Sequence, residues 1–258
     1  MAVLLKAEKI NKSFGGVQAL IDVSIDIMDD EILGIIGPNG AGKTTLFNVL
    51  TGFNFPTSGK VIFNNRDMTG QPVHSMCKAG LSRTFQNIRL FDAMTVIDNI
   101  VVGMHTQLHA GLFGIIFRLN STMKHDREAY KKAKDILDYL GLGDVANEYA
   151  GNLPYGKQRK LEIGRALANN PKIVLLDEPA AGMNPKEKTE LMALIKRIRE
   201  IGPAVVLIEH NMEIVMGVSE RIVVLNFGQV LADCSPDEAK CDERVIEAYL
   251  GEDEEDDI

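Results

Sequence analysis

Gly37-Pro38-Asn39-Gly40-Ala41-Gly42-Lys43-Thr44 spells G-x-x-x-x-G-K-[ST], and its flanks decide the fold. Ile32-Leu33-Gly34-Ile35-Ile36, just before it, is a short apolar run that reads as a buried strand. Thr45-Leu46-Phe47-Asn48-Val49-Leu50, just after it, reads as the start of a helix. A strand, a glycine loop and a helix in that order let backbone N–H groups converge on a phosphate. Gly37, Gly40 and Gly42 permit the tight turn and the close backbone approach. Asn39, Ala41 and Thr45 complete the cradle, Lys43 is placed to reach β- and γ-phosphates, and the Thr44 hydroxyl is a ligand for Mg²⁺. The glycines run G-x-x-G-x-G rather than G-x-G-x-x-G, so a nicotinamide dinucleotide is not indicated.

Working outward, the chain has 258 residues, 45% of them hydrophobic, which fits one large domain or two intimate lobes. No apolar run approaches the ~20 residues that span a bilayer; Leu112-Phe113-Gly114-Ile115-Ile116-Phe117 is far too short. The N-terminus lacks the charged and long apolar regions of a secretory signal. Cys77, Cys234 and Cys241 are odd in number and have no metal-ligand spacing, so reduced thiols in the cytoplasm are expected. Net charge is −8, but the end of the chain, Glu252-Asp253-Glu254-Glu255-Asp256-Asp257, carries six of the 36 acids. Without that run, 30 acids face 28 basic residues and the body is close to neutral. Residues 251–258 therefore read as a solvated, disordered tail. No basic cluster stands out, so nucleic acid is not expected as a partner.

Val3, Leu5 and Ala7, then Val23, Ile25 and Ile27, alternate as half-buried antiparallel strands do, and Lys60–Phe63 is a further strand closed by a turn at 64–67. Residues 87–150 lack that alternation. Within them Ala129, Tyr130, Ala133, Ile136, Leu137 and Leu140 mark one helical face over 126–140, with Gly141 as its stop. From Lys172 the pattern returns to short, wholly apolar runs at 173–176, 205–208 and 222–225, separated by helical stretches at 185–200 and 211–218. Such runs suit parallel strands covered on both faces. The expected fold class is α/β with a mostly parallel core sheet.

A phosphate loop needs an acid to hold its metal, and Ile173-Val174-Leu175-Leu176-Asp177 ends a hydrophobic strand in one. Asp177 would support Mg²⁺, while the adjacent Glu178 would orient or deprotonate an attacking water. Taken alone, Asp177-Glu178-Pro179 is a polar strand end with a turn; beside the glycine loop it completes a nucleotide site. Leu153-Pro154-Tyr155-Gly156-Lys157-Gln158-Arg159 lies ahead of a helix expected from Gln158 to Leu167, whose free N–H groups form a second anion site. A lone helix cap is the plain reading of that segment. Two phosphate cradles in one chain make sense if two chains meet head to tail and each closes the other's nucleotide. His210 follows the strand at 205–208, at the sheet edge where α/β proteins bind ligands.

In this order the segments resemble the ATP-binding subunit of ABC transporters over roughly residues 3–250. The resemblance implies a P-loop ATPase with an antiparallel β subdomain. The core would be formed by 1–86 and 168–250, and 87–167 would be a helical subdomain. It also implies that Phe14 stacks on adenine with Val17 beside it, although an isolated Phe14 would more simply be a core aromatic. Gln86 in Arg83-Thr84-Phe85-Gln86 is implied to contact Mg²⁺ or water, although alone it would be a surface amide. Residues 153–158 are similar to the LSGGQ signature, with Tyr155, Gly156 and Lys157 facing phosphate. Asp177 and Glu178 are similar to Walker B with its catalytic glutamate. Ala180-Ala181-Gly182-Met183-Asn184 is similar to the D-loop and His210 to the switch histidine; Lys43 and Gln86 would join them in catalysis. The chain departs from that pattern at Pro154, where the signature serine would stand, at Tyr155 and Lys157, and at Asn184 in place of an aspartate.

Thr84-Phe85-Gln86-Asn87, Met94-Thr95-Val96 with Asp98-Asn99, the insert through Leu112-Phe113, Glu178 to Pro185, Ile208-Glu209-His210-Asn211-Met212 and the ending Val245 to Gly251 resemble the ATP-binding subunits of branched-chain amino-acid importers. The long insert is similar to that of the first of two paralogous ATPase subunits. The resemblance implies ATP and Mg²⁺ as cofactors and two integral-membrane permease subunits. It also implies a homodimer or a heterodimer with the paralogue, a solute-binding protein acting indirectly, and a peripheral position on the cytoplasmic face of the membrane. Importers of urea or short amides and exporters of lipopolysaccharide share the same hydrolytic parts, and site chemistry does not separate them.

Overall fold

The computed structural model describes residues 2–104 and 120–250. The insert through Leu112-Phe113 and the acidic tail expected at 251–258 lie outside the described residues.

Two sheets organise the described residues. In the first, β1 (Val3–Phe14) pairs antiparallel with β2 (Val17–Met28) and with β4 (Ser58–Phe63), which pairs with the short β5 (Arg66–Asp67). The second sheet uses β3 (Ile32–Ile36), β6 (Leu81–Arg83), β7 (Ile173–Asp177), β8 (Ala204–Ile208), β9 (Arg221–Asn226) and β10 (Gln229–Cys234). Its order is β10-β9-β3-β8-β7-β6, parallel throughout except for the β9–β10 hairpin. The alternation in β1 and β2 does its expected work: Leu5, Ala7, Val23, Ile25 and Ile27 are buried, while Val3 is exposed at the strand's start.

The wholly apolar runs are explained by the second sheet's two covered faces. In β7, Ile173 and Leu175 face the antiparallel sheet and helix α1 (Lys43–Leu50), whereas Val174 and Leu176 face the opposite layer. That layer contains α6 (Pro185–Glu200) and α7 (Met212–Val218), and it continues without a break into the helix-rich section. There α3 (Val96–Gly103), α4 (Asn120–Leu140) and α5 (Tyr155–Leu167) pack on one another. A short helix α2 (Val73–Ala79) precedes β6, and α8 (Pro236–Cys241) and α9 (Glu243–Leu250) end the described chain.

Local sequence is corrected at three places. On α4, Ala129, Ala133, Leu137 and Leu140 are buried, but Tyr130 is exposed and donates its hydroxyl to Asp98 Oδ1 at 2.7 Å, so the apolar face is narrower than expected. The expected turn at 64–67 is only Asn64-Asn65, both left-handed with φ of 52° and 60°, and Arg66-Asp67 already belong to β5. Helix α5 starts at Tyr155 rather than Gln158, with Pro154 in non-helical backbone (φ −55°, ψ 148°) at its cap position.

Candidate active site

Four parallel strands, β3, β6, β7 and β8, deliver their chains to one edge of the second sheet. Ile208 on β8 is the register partner of Ile35 on one side and of Asp177 on the other. Asp177 therefore stands level with the end of the glycine-loop strand, about 10 Å away across two strand spacings. Gln86 follows β6, Glu178 follows β7 and His210 follows β8, at the edge where open α/β sheets bind ligands.

The glycine loop is held by packing. Gly37 has φ 149°, and a Cβ there would lie 2.1 Å from the Leu225 carbonyl oxygen, so only glycine fits. Ala41 is buried, Asn39 and Gly40 are exposed, and Gly42 approaches the Ala19 carbonyl of β2. Lys43 is buried, with Nζ donating to the carbonyls of Gly37 at 2.6 Å and Pro38 at 2.8 Å. The ammonium is thereby folded over the loop whose N–H groups it would assist. Thr44 is exposed and Thr45 half-buried on the first turn of α1. Phe14 and Val17 are cross-strand partners closing the β1–β2 hairpin, and both are exposed, with the Lys12 ammonium 4.8 Å from the Phe14 ring centroid. Phe14 is not a core aromatic. The exposed ring stands at the end of the hairpin whose second strand brings the Ala19 carbonyl against Gly42.

Gln86, Glu178 and His210 meet. Gln86 Nε2 donates to Glu178 Oε2 at 2.9 Å, and His210 Nε2 lies 3.0 Å from Glu178 Oε1. With its proton on Nε2 the imidazole donates to that oxygen. Both carboxylate oxygens of Glu178 are thus fixed from two other strands. Glu178 has φ 45°, a left-handed conformation costly for a residue with a Cβ. Two hydrogen bonds hold the turn: Glu178 N–H donates to Ile208 O at 2.9 Å, and Glu209 Oε1 accepts from Ala180 N–H at 2.7 Å. Burial pushes the Glu209 carboxyl above the usual carboxylate range, against the pull of its backbone hydrogen bonds.

Asp177 is buried, and its Oδ2 is 2.7 Å from Arg83 Nη2. Mg²⁺ takes hard oxygen ligands, keeps several waters and needs few protein groups. A threonine hydroxyl, a carboxylate and the Gln86 amide oxygen fit that donor set. Among the described residues no cluster of three or more His, Cys, Asp or Glu side chains could hold a softer or more fully caged metal.

The second anion site looks different from its sequence reading. Gly156 lies inside the first turn of α5, and a Cβ there would meet Glu187 Oε1 at 2.5 Å. Glu187 belongs to α6, whose capping box it forms with Asn184. Asn184 thus caps α6, a task an amide performs as well as an aspartate. Tyr155 lies against Gly182, and its hydroxyl accepts from Arg159 Nη2 at 3.1 Å; Lys157 Nζ is 3.8 Å from Asp144 Oδ2. The signature turn and the segment 180–187 therefore form one contact.

Sequence reading missed Arg159 and Glu162. Arg159 is wholly buried; Nη1 donates to Phe85 O at 2.7 Å and to Glu162 Oε2 at 2.9 Å, and Nη2 donates to Gln86 O at 2.8 Å. Glu162 Oε1 accepts from the N–H groups of Phe85 at 3.3 Å and Arg89 at 3.4 Å. This buried pair on α5 clasps the backbone carrying Gln86. The only available signal was an Arg and a Glu three apart on a helix, which most often means a surface pair.

Residues 20–181 match the model of the ABC transporter family, and 229–255 match that of the branched-chain amino acid ATP-binding cassette transporter. The chain is 46% identical over 250 residues to the high-affinity branched-chain amino acid transport ATP-binding protein LivG of Salmonella typhimurium, covering 96% of this chain and 98% of that protein. It is 43% identical, with the same coverage, to the corresponding protein BraF of Pseudomonas aeruginosa. A crystal structure of an ABC transporter's ATP-binding cassette in its ADP conformation superposes with a TM-score of 0.85 at 33% identity, covering 97% of this chain and all of that one. The antiparallel sheet, the parallel sheet and the loop-bearing edge are those of that cassette fold. With a family model over more than half its length and relatives matched nearly end to end, this chain belongs to the ABC transporter family, as one of its ATP-binding, ATP-hydrolysing subunits.

Proposed function

We propose that the chain hydrolyses Mg²⁺-ATP to drive import of branched-chain or related hydrophobic amino acids through two integral-membrane permease subunits, from the cytoplasmic face of the membrane. The observation that carries the catalytic reading is the hydrogen-bonded set Gln86–Glu178–His210 beside Asp177 and the glycine loop. The loop N–H groups and Lys43 would bind the β- and γ-phosphates, and Phe14 with Val17 would cover adenine. Thr44, Asp177 and Gln86 would hold Mg²⁺, which when bound neutralises charge on the phosphates. Glu178 orients the attacking water and takes its proton, and His210 donates to the charge developing on the transferred phosphoryl group.

Tyr155, Gly156 and Lys157 would serve the nucleotide of a second ATPase subunit, a copy of this chain or a paralogue. Solved ABC cassettes described as dimeric, 27% identical to this chain, are in keeping with that arrangement. Residues 87–167 would move as a helical subdomain about Gln86. A groove beside that residue has a volume of about 460 Å³ and is lined by Phe53, Phe85, Arg89, Phe91 and Arg165, among others. It would receive a permease segment. The amino-acid cargo is supported by the relatives' names, and a solute-binding protein would deliver it. Among the described residues no helix is long and apolar enough to cross a membrane, in keeping with a peripheral subunit. The experiment is Glu178→Gln: ATP binding is retained and turnover falls about 100-fold or more. Unchanged hydrolysis removes Glu178 from its role. Purification from native membranes that recovers permeases and a leucine-binding protein supports the cargo, and recovery without membrane proteins overturns transport.

A further inference from the structure

Arg83 occupies an unusual position at the end of β6. Its Nη2 meets Asp177 Oδ2 at 2.7 Å, with the two side chains only 8% and 5% exposed. Its Nη1 donates to Asn48 Oδ1 at 2.6 Å and Thr51 Oγ1 at 3.3 Å, at the end of the helix that follows the glycine loop. Its guanidinium carbon lies 5.5 Å from the ring centroids of Phe53 and Phe85 and 5.6 Å from that of Phe47, within cation–π range of all three. Phe53 and Phe85 meet edge to face at 5.7 Å. Arg83, Phe53 and Phe85 also line the 460 Å³ groove, and Phe53 is 45% exposed. One guanidinium thus touches the metal-holding acid, the phosphate-loop helix and the groove wall.

We propose that Arg83 is a positioning residue that couples the state of this groove to the charge Asp177 offers a metal. The inference rests on the reading of Asp177 as the Mg²⁺ acid. A guanidinium and a divalent cation compete for one carboxylate, because each is stabilised by the same negative charge. While the rings hold Arg83 against Oδ2, part of that charge is neutralised. Arg83 is held there both by its hydrogen bonds to Asn48 and Thr51 and by the rings, with Nε buried and without a hydrogen-bond partner. A ligand that displaces Phe53 or Phe85 removes the rings' part of that hold and loosens the guanidinium from Asp177. The groove would in this way adjust metal binding at the nucleotide site without touching the nucleotide.

The test measures binding of a fluorescent ATP analogue to the full chain across a Mg²⁺ titration, with binding in EDTA as the metal-free reference. Arg83→Met is expected to lower the Mg²⁺ midpoint about tenfold, as an unscreened buried carboxylate gains the cation, while kcat falls because Asp177 loses its orienting partner. Phe53→Ala is expected to shift the midpoint in the same direction, about threefold, when Arg83 is present and not in the Arg83→Met background. Arg83→Lys keeps the charge but loses the fork and should fall between wild type and Arg83→Met; with Phe53→Ala it carries the test if Arg83→Met does not fold. Midpoints within twofold of wild type, or additive shifts from Phe53 and Arg83, overturn the proposal. Asp177→Asn separates the two levels. If it leaves the Mg²⁺ increment intact, the metal reading of Asp177 falls and the proposal with it. If it abolishes the increment while Arg83 variants do nothing, only the proposal falls.

Discussion

Replacing Arg159 by methionine tests whether the clasp beneath Gln86 is a buried ionic device. Arg159 and Glu162 have side chains 0% and 1% exposed, so neither charge has water to replace its partner. The substitution removes donors to the carbonyls of Phe85 and Gln86 and to Glu162. Breaking one half of a buried pair costs about 3–5 kcal/mol, because the remaining charge is left uncompensated. In a chain of this size that is about 6–20 °C in Tm. The pH dependence carries the diagnosis. Burial already pushes the Glu162 carboxyl above its ordinary range, and Arg159 pulls it back down. Without Arg159 it rises further. A raised folded-state value contributes stability below the unfolded carboxylate range and loses it as pH rises through the raised value. Arg159→Met should therefore be more destabilised at pH 8 than at pH 5, since a raised carboxyl keeps its stability on the acid side. Adding Glu162→Gln should recover stability at pH 8. Thermal melts of wild type, single and double variants at the two pH values measure this. A loss below about 1 kcal/mol, or a loss independent of pH and untouched by Glu162→Gln, would refute the buried-pair reasoning.

Gly37→Ala should unfold the glycine loop or abolish expression, since its Cβ would collide with the Leu225 carbonyl in a conformation alanine avoids; a soluble variant with wild-type Tm is the contrary result. Phe14→Ala should leave Tm within about 2 °C, because the ring is exposed. Stacking on a base is worth about 1–3 kcal/mol, so ATP affinity should drop about 5- to 150-fold; unchanged affinity by titration removes Phe14 from the site. Asn184→Ala should cost about 1 kcal/mol through loss of the α6 capping box, read as a denaturation midpoint, whereas Asn184→Asp should be neutral. Glu209→Gln keeps an oxygen for the Ala180 N–H but cannot ionise. It should flatten the part of the stability decline above the ordinary carboxylate range that a raised carboxyl imposes, and an unchanged slope in melts as pH rises from there counts against it.

Much of the molecule was legible in the chain because it depends on neighbours in sequence. The glycine loop is read from its own residues, β7 and β8 from unbroken apolar runs, and α6 as a helical stretch at 185–200. Asp177, Glu178 and His210 could be placed at strand ends, since each follows its apolar run directly. The start of α5 was misread because Gly156 looks like a loop residue, and its close approach to Glu187 is visible only once α5 and α6 are packed. The short β6 and α2 carry too few residues to show a period.

By itself the sequence determined that the apolar runs at 173–176, 205–208 and 222–225 are strands, and it pointed to a phosphate loop and to acids suited to a metal, because spacing of a few residues carries those signals. Only the tertiary structure decided what those groups touch. The parallel register sets Asp177 opposite Ile208, and three separate strand ends bring Gln86 and His210 onto the two oxygens of Glu178. The burial of Arg159 and Arg83 was likewise invisible beforehand. A charged side chain is stable inside a protein only when partners distant in sequence surround it, so its fate is set by packing and by no local pattern.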